Sequence, residues 1–502
     1  MHAPLDAGIS LRSSLPEGQL FGAAAQGGDI RFHTLCSDSR RVREGDLFVA
    51  LIGRRDDGHN HIRQAVERGA AAVLTERPLP LGVPQYVVPD TRIAHATLCL
   101  ELAGRPQQQL HVTGVAGTAG KTVTSLLLAN IMASAGRRVG LTGSLGYSDS
   151  LDQCPAVETT PRAPQIATWL GRMVENECQE AVIELDSLAL ADRRAGAVPL
   201  RTAVLTNLHR PQLRLHEESL SFASYCRRKQ RLFEQLLPGG VAILNADDEA
   251  CMAMANRLEC GVLTFGFCED ADVNAMVLER NRGEQLFLLT VGSESVPVRT
   301  RMLGDFHVQN CLAATAAALA MELPLEAIVR GLEGLEHVPG RLSRIVAGQS
   351  CGVFLDASRD PHAITHNLSA LRQVTPGRLF CVLGADSCDD EHHAAARGRA
   401  VERGADHAVI CGPTPGKRAS LQSLHDVLDG FQNPVNARLL PSRDSAIDWV
   451  LRAAKPEDTV LIAGSHGEEH SLVEGLLRSH DAVAPSVDDE GPVIYRIEDY
   501  RQ

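Results

Sequence analysis

The chain has 502 residues, of which 44% are hydrophobic and 22% charged, and its formal net charge is −13. This length predicts two to four domains with large cores, and the acidic excess argues against a general nucleic-acid surface. The sequence has no apolar run of about 20 residues for a membrane span, and its 13 cysteines are scattered, which argues against a disulfide or zinc framework. We therefore expect a cytoplasmic protein that binds no nucleic acid and spans no membrane.

Short apolar runs alternate with helical patterns along the chain. Runs of this kind are typical of βαβ units, so the pattern predicts an α/β fold with mostly parallel sheets. Ligands of such sheets bind beyond the carboxyl ends of the strands, where we expect the chemistry. The predicted strands are residues 110–113, 181–185, 202–208, 241–244, 353–356, 379–384, 407–411 and 459–463.

The same pattern divides the chain into three predicted domains. The first, residues 1–108, ends in a Gly-Arg-Pro sequence followed by a glutamine run that reads as a linker. The second, residues 109–339, begins with the strand that precedes a glycine-rich turn. The third, residues 340–502, restarts the alternation of strands and helices and ends in a short acidic tail.

The glycine-rich turn of the second domain is the strongest local signal. Gly117 and Gly120 allow the backbone to fold tightly around phosphates, and the next residues open a predicted helix. Lys121 would bring a positive charge to the outer phosphates, and the Thr122 hydroxyl would bind Mg²⁺. Val115 replaces the first glycine of the usual G-x-x-x-x-G-K-[ST] pattern, so that a chance glycine-rich turn is the alternative. The segment predicts a nucleotide site and leaves the class of enzyme open, although the N-K-x-D tetrad of a GTPase is absent.

Further short motifs follow one another along nearly the whole chain. Each is weak evidence alone, because short motifs recur by chance, but chance does not readily produce their order. They are Ser37-Asp38-Ser39-Arg40, Glu44-Gly45-Asp46, Asp57-Gly58-His59, Thr159-Thr160-Pro161, Ile183-Glu184-Leu185-Asp186-Ser187, Thr206-Asn207-Leu208, Tyr225 with Lys229 and Leu232-Phe233, Asn245-Ala246-Asp247-Asp248, residues 304–310, Gly340-Arg341 and Asp356.

This ordered series resembles the Mur ligase family, specifically its MurE branch. Members of that branch add the third residue to UDP-N-acetylmuramoyl-L-alanyl-D-glutamate in peptidoglycan synthesis. The resemblance implies an N-terminal substrate domain, a central P-loop domain with a parallel sheet and a C-terminal Rossmann-like domain that binds the amino acid. It also implies that the γ-phosphate of ATP passes to the substrate carboxylate, and that the amine attacks the resulting acyl phosphate. ATP and Mg²⁺ are the implied cofactors, the nucleotide-linked dipeptide and an amino acid the implied partners, and we expect a monomer.

The resemblance also assigns roles to individual residues. The catalytic residues would be Lys121, Glu184 and Lys229. The Mg²⁺ ligands would be Thr122, Glu184 and Lys229, the last as a carbamate formed with CO₂. ATP would contact Gly117, Thr118, Ala119, Gly120, Lys121, Thr122, Val123, His307, Asn310, Arg341 and Asp356. The dipeptide substrate would contact Ser37, Ser39, Arg40, Thr159, Thr160, Ser187 and Arg194. The amino acid would contact Gly464 and Glu468.

Lys229 has a second interpretation. It ends the basic run Arg227-Arg228-Lys229, which by charge pattern alone is typical of a solvated helix face. The spacing from Tyr225 to Lys229 and on to Leu232-Phe233 matches the family stretch that carries the carbamate. A carbamate needs a neutral amine, which burial of the lysine allows.

Several positions depart from the family pattern. Leu188 replaces a histidine, and Pro211 and Gln212 replace an aspartate and a potential metal-binding histidine. Asp186 or His209 would be the candidates to substitute for the lost ligand. The family's D-Y-A-H reads Asp-Ala-Ser-Arg from Asp356 onwards. The departures leave two alternatives open: a catalytically inactive scaffold or interaction protein that retains nucleotide binding, and a ligase that extends another carboxylate, as folate-polyglutamate enzymes do.

The residues that read diaminopimelate in this branch are also missing. Asp389 stands where the family has an amino-acid-binding arginine, and the D-N-P-R tetrad is absent near Thr414. Both cationic readers of the distal carboxylate are therefore lost, and the sequence does not predict diaminopimelate as the amino acid that is added.

Overall fold

The structure is a computed structural model that describes residues 8–21, 29–53, 56–209, 221–385, 391–413, 420–465 and 469–481. No helix in these ranges is long and apolar enough to cross a membrane. The chain forms two compact units. The first consists of Met1–Leu208, Ser221–Thr264 and Ala316–Ile328, and the second of His209–Leu220, Phe265–Thr315 and Val329–Gln502. These units do not follow the three predicted domains, whose boundaries stay a prediction.

The strands are numbered in chain order. They are β1 (Ile9–Ser10), β2 (Gln19–Phe21), β3 (Arg31–Phe32), β4 (Leu35–Cys36), β5 (Leu47–Val49), β6 (Ala72–Thr75), β7 (Gln85–Val87), β8 (His111–Ala116), β9 (Val139–Gly143), β10 (Gly146–Ser148), β11 (Gln153–Cys154), β12 (Glu180–Leu185), β13 (Leu200–Leu205), β14 (Leu236–Asn245), β15 (Gly261–Gly266), β16 (Val273–Arg280), β17 (Gln285–Val291), β18 (Glu294–Thr300), β19 (Ser343–Ile345), β20 (Gly352–Asp356), β21 (Leu379–Gly384), β22 (His407–Cys411), β23 (Ala437–Leu439) and β24 (Thr459–Ala463).

The helices follow the same order. They are α1 (Leu11–Ser14), α2 (Ile62–Glu67), α3 (Thr91–Leu102), α4 (Lys121–Ser134), α5 (Ala163–Glu175), α6 (Ser187–Ala191), α7 (Phe222–Gln230), α8 (Glu249–Ala255), α9 (Asp305–Ala320), α10 (Leu325–Gly334), α11 (Pro361–Val374), α12 (Glu391–Gly404), α13 (Leu421–Leu428), α14 (Arg443–Ala453) and α15 (Glu469–Asp481). Short 3₁₀ turns are Gly58–His61, Pro106–Gln108, Phe233–Gln235 and Pro434–Asn436.

The first unit contains two sheets. The N-terminal sheet has the strand order β2-β7-β6-β5-β4, in which β4 to β7 pair in parallel and β2 pairs antiparallel with β7. In the larger sheet the order is β11-β10-β9-β12-β8-β13-β14, with parallel pairing from β9 to β14. β12 is buried along its whole length because helices cover both faces, as in other parallel sheets.

The second unit contains a doubly wound sheet with the order β19-β20-β24-β21-β22-β23, parallel except for β19. Alternate side chains of β21 face opposite layers. Cys381 and Leu383 pack with residues of α11, α12 and α13, and Phe380 and Val382 pack with residues of α14 and α15. The unit also contains the antiparallel strands β16, β17 and β18. The prediction of an α/β fold with parallel sheets is confirmed.

All eight predicted strands are present. Three have the predicted bounds, and the other five, β8, β12, β13, β14 and β20, differ at one or both ends. β8 continues through Gly114 to Ala116, because Gly114 lies within the crowded sheet: a Cβ atom there would lie 2.7 Å from Leu200 Cδ1. β13 ends at Leu205 instead of Leu208, because the next residues turn to hold the glycine-rich loop. Packing in the sheet and hydrogen bonds to that loop decided these ends.

Candidate active site

Three strand ends lie side by side at one edge of the larger sheet in the first unit. The register pairs Ala116, the last residue of β8, with Leu185 of β12 on one side and Leu205 of β13 on the other. Gly117, Asp186 and Thr206, which follow these strands, therefore meet at the carboxyl edge together with Glu184 near the end of β12. This is the position that the sequence predicts for the chemistry.

The glycine-rich turn after β8 needs its glycines. Gly117 has φ of 149°, and a Cβ atom there would lie 1.9 Å from Thr206 Oγ1. Gly120 has φ of 83° and precedes the first residue of α4. Because L side chains rarely adopt such angles, both positions favour glycine. The first turn of α4 leaves backbone N–H groups free of helix partners, as a phosphate site requires.

Ala119 stands where the family has asparagine, and Asn207 holds it from the end of β13. The Ala119 N–H donates to Asn207 Oδ1 at 2.9 Å, and Asn207 Nδ2 donates to the Ala119 carbonyl at 3.1 Å. Thr206 Oγ1 donates to the same carbonyl at 2.6 Å. The turn is therefore fixed by the two residues that follow the neighbouring strand β13, without a side-chain amide of its own.

Lys121 folds back over this turn. Its Nζ donates to the carbonyls of Gly117 and Thr118, each at 3.1 Å. Thr118 Oγ1 lies 2.9 Å from the Tyr225 hydroxyl. The charge of Lys121 is thus located over the loop that the sequence assigns to phosphates.

Thr122 and Glu184 form a buried pair of oxygen donors beside the turn. Thr122 Oγ1 donates to Glu184 Oε2 at 3.1 Å and lies 2.8 Å from Ser144 Oγ, while the Ser144 N–H donates to Glu184 Oε1 at 3.2 Å. The glycine at 143 leaves room for this carboxylate, since a Cβ there would lie 2.0 Å from Glu184 Oε1. A hydroxyl and one carboxylate suit Mg²⁺, which takes oxygen ligands and completes its shell with phosphates and water.

No group of three or more His, Cys, Asp or Glu side chains that could hold a metal occurs in the described residues. A metal ion beside Thr122 and Glu184 would therefore need ligands of other kinds in addition. Asp186, one of the suggested substitutes, instead caps α6 by accepting from the Ala189 N–H at 2.7 Å. His209, the other, is exposed.

Lys229 is 1% exposed, so the interpretation as a solvated lysine is wrong. Its Nζ donates to the Gly117 carbonyl at 3.0 Å and lies 5.7 Å from the centre of the Tyr225 ring. Arg227, two residues earlier on α7, is exposed. The basic run thus spans two faces of one helix, because Arg227 is exposed and Lys229 contacts the glycine-rich turn.

The predicted dipeptide-binding residues of the larger sheet converge next to Glu184. Thr160 is fully buried, and its hydroxyl donates to the Glu184 carbonyl at 2.7 Å and accepts from the Asp186 N–H at 3.0 Å. Arg194 donates to the Thr160 carbonyl at 2.7 Å and forms an ion pair with Glu158. Because both hydrogen-bonding roles of the Thr160 hydroxyl are taken within the protein, this side chain positions its neighbours. Thr159 precedes it, and Ser187 begins α6.

The predicted N-terminal residues lie at the end of β4. Ser37 is exposed, and Ser39 is buried with its hydroxyl donating to Gln64 Oε1 at 2.7 Å. Arg40 makes two hydrogen bonds with Asp38, at 2.9 and 3.0 Å. The side-chain hydrogen bond from Arg40 is the main cause that lowers the pKa of Asp38 to about 2. The cation of Arg40 is therefore already paired within its own loop.

In the second unit, the predicted ATP-binding residues surround the start of β19 and the end of β20. Asp356 accepts from the Leu342 N–H at 2.9 Å and the Ser358 N–H at 2.8 Å, although burial raises its pKa. These bonds fix the backbone next to Arg341. His307 is buried, neither ring nitrogen has a hydrogen-bond partner among the described residues, and burial, aided by the charge of Arg341, lowers its pKa to about 3.

Asn310, one turn after His307 on α9, is also buried. Gly464 follows β24 with φ of 67°, and the next N–H, of Ser465, donates to the Asp356 carbonyl at 2.8 Å. Glu468 lies outside the described residues. The same holds for Pro211, Gln212, Asp389 and Thr414 among the departures from the family pattern.

Known protein families match this chain along most of its length. Three family models match: "Mur ligase family, catalytic domain" over residues 31–105, "Mur ligase middle domain" over 115–318 and "Mur ligase, glutamate ligase domain" over 340–466. A protein of Geobacillus thermodenitrificans named UDP-N-acetylmuramoyl-L-alanyl-D-glutamate–2,6-diaminopimelate ligase is 33% identical over 455 residues, 89% of this chain and 92% of its own. The chain belongs to the Mur ligase family.

A further relative agrees with this assignment, and two solved structures share the fold. The protein of the same name from Geobacter metallireducens is 30% identical over 475 residues, 90% of this chain and 92% of its own. A solved structure of a ligase with that name has a TM-score of 0.70 and 24% identity, covering 94% of this chain and 99% of its own. The folylpolyglutamate synthase of Mycobacterium tuberculosis, solved with ADP and AMPPCP, has a TM-score of 0.59 and 19% identity over 78% of this chain and 96% of its own. The predicted three-domain Mur ligase architecture is thereby confirmed.

Two residues of the site were missed as functional residues in the sequence. Ser144, which contacts both Thr122 and Glu184, follows the end of β9, and its position after a strand was the available signal. Asn207 belonged to a recognised motif but had no role until the structure placed it on Ala119. Both act across neighbouring strands, a relation that spacing along the chain does not show.

Proposed function

We propose that this chain is an ATP- and Mg²⁺-dependent ligase that joins an amino acid to UDP-N-acetylmuramoyl-L-alanyl-D-glutamate in peptidoglycan synthesis. One observation carries the proposal: the glycine-rich turn, the Thr122–Glu184 pair and the Thr160 loop share one sheet edge in a Mur ligase. Relatives at 30 to 33% identity bear the name of a ligase that acts on this dipeptide. The chain spans 92% of the length of both.

The reaction requires that a carboxylate oxygen become a leaving group. Phosphoryl transfer from ATP to the substrate carboxylate achieves this, and the amine then displaces phosphate from the acyl phosphate. In the proposal, Lys121 exchanges its two carbonyl partners for phosphate oxygens, and the N–H groups at the start of α4 bind the same anion. Bound Mg²⁺ would neutralise charge on the transferring phosphoryl group. Thr122 and Glu184 are the proposed ligands that would hold it.

Lys229 is the proposed source of a second anion. The Lys229 ammonium would lose one proton to give the neutral amine, which would add to CO₂ with loss of a second proton. A cation beside the turn would thereby become a carbamate anion. Burial supports this step because it disfavours the ammonium form. The alternative is that the ammonium persists and continues to fix the Gly117 carbonyl.

The dipeptide is proposed to contact Ser37, Ser39, Arg40, Thr159, Ser187 and Arg194, with Thr160 holding the loop beside Glu184. ATP is proposed to contact Val123 through its backbone and, in the second unit, His307, Asn310, Arg341 and Asp356, and the amino acid to contact Gly464 and Glu468. We propose domains at 1–108, 109–339 and 340–502, supported by the three matched segments. We also propose a cytoplasmic location, because ATP and UDP-linked precursors are cytoplasmic substrates. The proposed oligomeric state is a monomer.

The amino acid is the open part of this proposal. The relatives are named for 2,6-diaminopimelate, whereas this chain has Asp389 in place of an arginine and lacks the D-N-P-R tetrad. A panel of diaminopimelate, L-lysine, L-ornithine, L-alanine and L-glutamate, each with ATP, Mg²⁺, bicarbonate and the UDP-linked dipeptide, tests it by phosphate release. We expect turnover with at least one of them.

A separate assay tests the first chemical step without any amino acid. Reversible acyl phosphate formation scrambles a heavy-oxygen label between the β,γ-bridge and the non-bridging positions of ATP. We expect scrambling that depends on the UDP-linked dipeptide. Binding of ATP without scrambling or turnover would favour the second candidate, an inactive nucleotide-binding interaction protein, which the Ala-Ser-Arg sequence after Asp356 favours.

A further inference from the structure

The second unit contains a fully buried ion pair that the proposed chemistry does not use. Arg443 begins α14 and Glu469 begins α15, and both side chains are 0% exposed. Arg443 Nε donates to Glu469 Oε1 at 2.6 Å, and Nη2 donates to Glu469 Oε2 at 3.0 Å. Nη2 also donates to the Ala463 carbonyl at 2.9 Å. One guanidinium thus joins the last residue of β24 to the first residue of α15.

These two partners bracket a short segment that matters for the proposed function. Between Ala463 and Glu469 lie Gly464, the described residue predicted to contact the amino acid, and Ser465, whose N–H is bonded to the Asp356 carbonyl. The guanidinium therefore fixes the distance between the two ends of the segment. The segment lies at the carboxyl end of β24, and ligands of parallel sheets bind at such strand ends.

The surroundings of the Arg443 guanidinium are crowded and leave one of its N–H groups without a hydrogen-bond partner among the described residues. A Cβ atom on Gly384, the last residue of β21, would lie 3.0 Å from Arg443 Nη1. Nη1 itself is buried and has no hydrogen-bond partner within the described part of the chain. A buried ion pair is often no more stabilising than apolar side chains of similar volume, and an unpartnered N–H group lowers stability further. Stability therefore does not explain an arginine at this position. The geometry of the guanidinium, which joins Ala463 to Glu469, does explain it.

From this arrangement we infer that Arg443 is a positioning residue for the incoming amino acid. It acts through Glu469 and the Ala463 carbonyl, which together set the backbone of Gly464, the residue proposed to contact the amino acid. The inference rests on the proposed ligase function. It goes beyond that function in assigning amino-acid affinity to a side chain that contacts no substrate.

Two variants test the inference with the full chain and the amino acid that gives the highest turnover in the panel. Arg443→Lys keeps the charge and loses the two-pronged geometry. The double variant Arg443→Met with Glu469→Leu removes both charges, so that no unpaired ion is left buried. The matched control is Arg378→Lys, because Arg378 pairs with Asp458 at the opposite, amino ends of β21 and β24.

We expect the KM for the amino acid to rise by about tenfold or more in both test variants, which corresponds to loss of a positioned contact. The KM values for ATP and the dipeptide should stay within about twofold, and dipeptide-dependent label scrambling should persist. The control should match the parent in every constant. An unchanged amino-acid KM, or an equal rise in all three KM values together with a lower Tm, would overturn the inference, because the pair would then be only structural.

The same measurements separate this inference from the proposed function. A parent protein that scrambles the label and turns over, with variants of unchanged amino-acid KM, refutes the positioning role alone. A parent that neither scrambles nor turns over with any amino acid of the panel refutes the ligase function, and the positioning role falls with it.

Discussion

Replacing Thr160 by valine tests whether the loop beside Glu184 is held by a hydroxyl. The substitution is nearly isosteric, so it removes the hydrogen bonds and leaves the packing. The bond to the Glu184 carbonyl is lost, and the partly buried Asp186 N–H loses its acceptor, the hydroxyl of the fully buried Thr160. A net hydrogen bond contributes about 1 kcal/mol, and a buried group left unsatisfied costs about 1–3 kcal/mol. Together these give a loss of about 2–4 kcal/mol in the free energy of unfolding.

The matched control for this variant is Thr168→Val. Thr168 also donates its hydroxyl to a backbone carbonyl, that of Pro164 at 2.9 Å, but it lies on the exposed surface of α5. We expect Thr168→Val to change the free energy of unfolding by about 0.5 kcal/mol or less. Urea denaturation followed by circular dichroism measures the free energy of unfolding of both variants. Steady-state kinetics should show a lower kcat for Thr160→Val alone, because the Glu184 carbonyl loses its hydrogen bond to the Thr160 hydroxyl. Equal stability of the two variants would refute the assignment of Thr160 as a positioning residue.

Three further predictions concern other parts of the site. Lys229→Ala should abolish ligase activity, with partial rescue by an added short-chain carboxylate, whereas Arg227→Ala on the exposed face of α7 should retain it; full activity of Lys229→Ala would exclude the carbamate. Gly117→Ala should raise the KM for ATP and lower the midpoint of urea unfolding. The new Cβ would displace the Thr206 hydroxyl, and φ of 149° strains alanine by about 1–3 kcal/mol. A KM for ATP equal to that of the parent would contradict the predicted loop geometry. The lowered pKa of His307, about 3 against 6.5 in the unfolded chain, means that the unfolded state binds the extra proton between these values. Stability should then fall as pH drops from 6.5 towards 3, by up to about 1.4 kcal/mol per pH unit, and His307→Gln should reduce this slope in acid titrations of unfolding; an unchanged slope would show that the histidine is not buried in its neutral form.

Much of the fold follows from local pattern. Runs such as Leu379–Gly384 and Thr459–Ala463 have the limits that their apolar residues predict, because strands of a parallel sheet are covered on both faces and tolerate few polar side chains. Where prediction and structure differ, as at Gly114, the cause is crowding by residues far away in sequence. Such contacts have no signature in a short window of residues.

The candidate site divides in the same way. The spacing from Gly117 to Thr122 predicted a strand, a turn and a helix, and all three are present. Sequence spacing did not show that Ser144 joins Thr122 and Glu184, nor that Arg443 bridges β24 and α15. The first relation is decided by the register of β9 and β12, and the second by the packing of α14 and α15 at the end of β24.

By itself the sequence determined the fold class and the family, because apolar periodicity and the order of motifs along the chain are properties of the sequence alone. It also indicated the residues that carry the chemistry, because hydroxyls, carboxylates and lysines recur directly after buried strands, where ligands of parallel sheets bind. Only the tertiary structure decided which of these side chains form hydrogen bonds within the protein. Thr160 holds a neighbouring loop with both roles of its hydroxyl, and Lys229 is buried against Gly117 although its neighbours in sequence are basic. The physical reason is that burial and hydrogen-bond partners are set by residues distant in sequence, which meet only when parallel strands align their carboxyl ends.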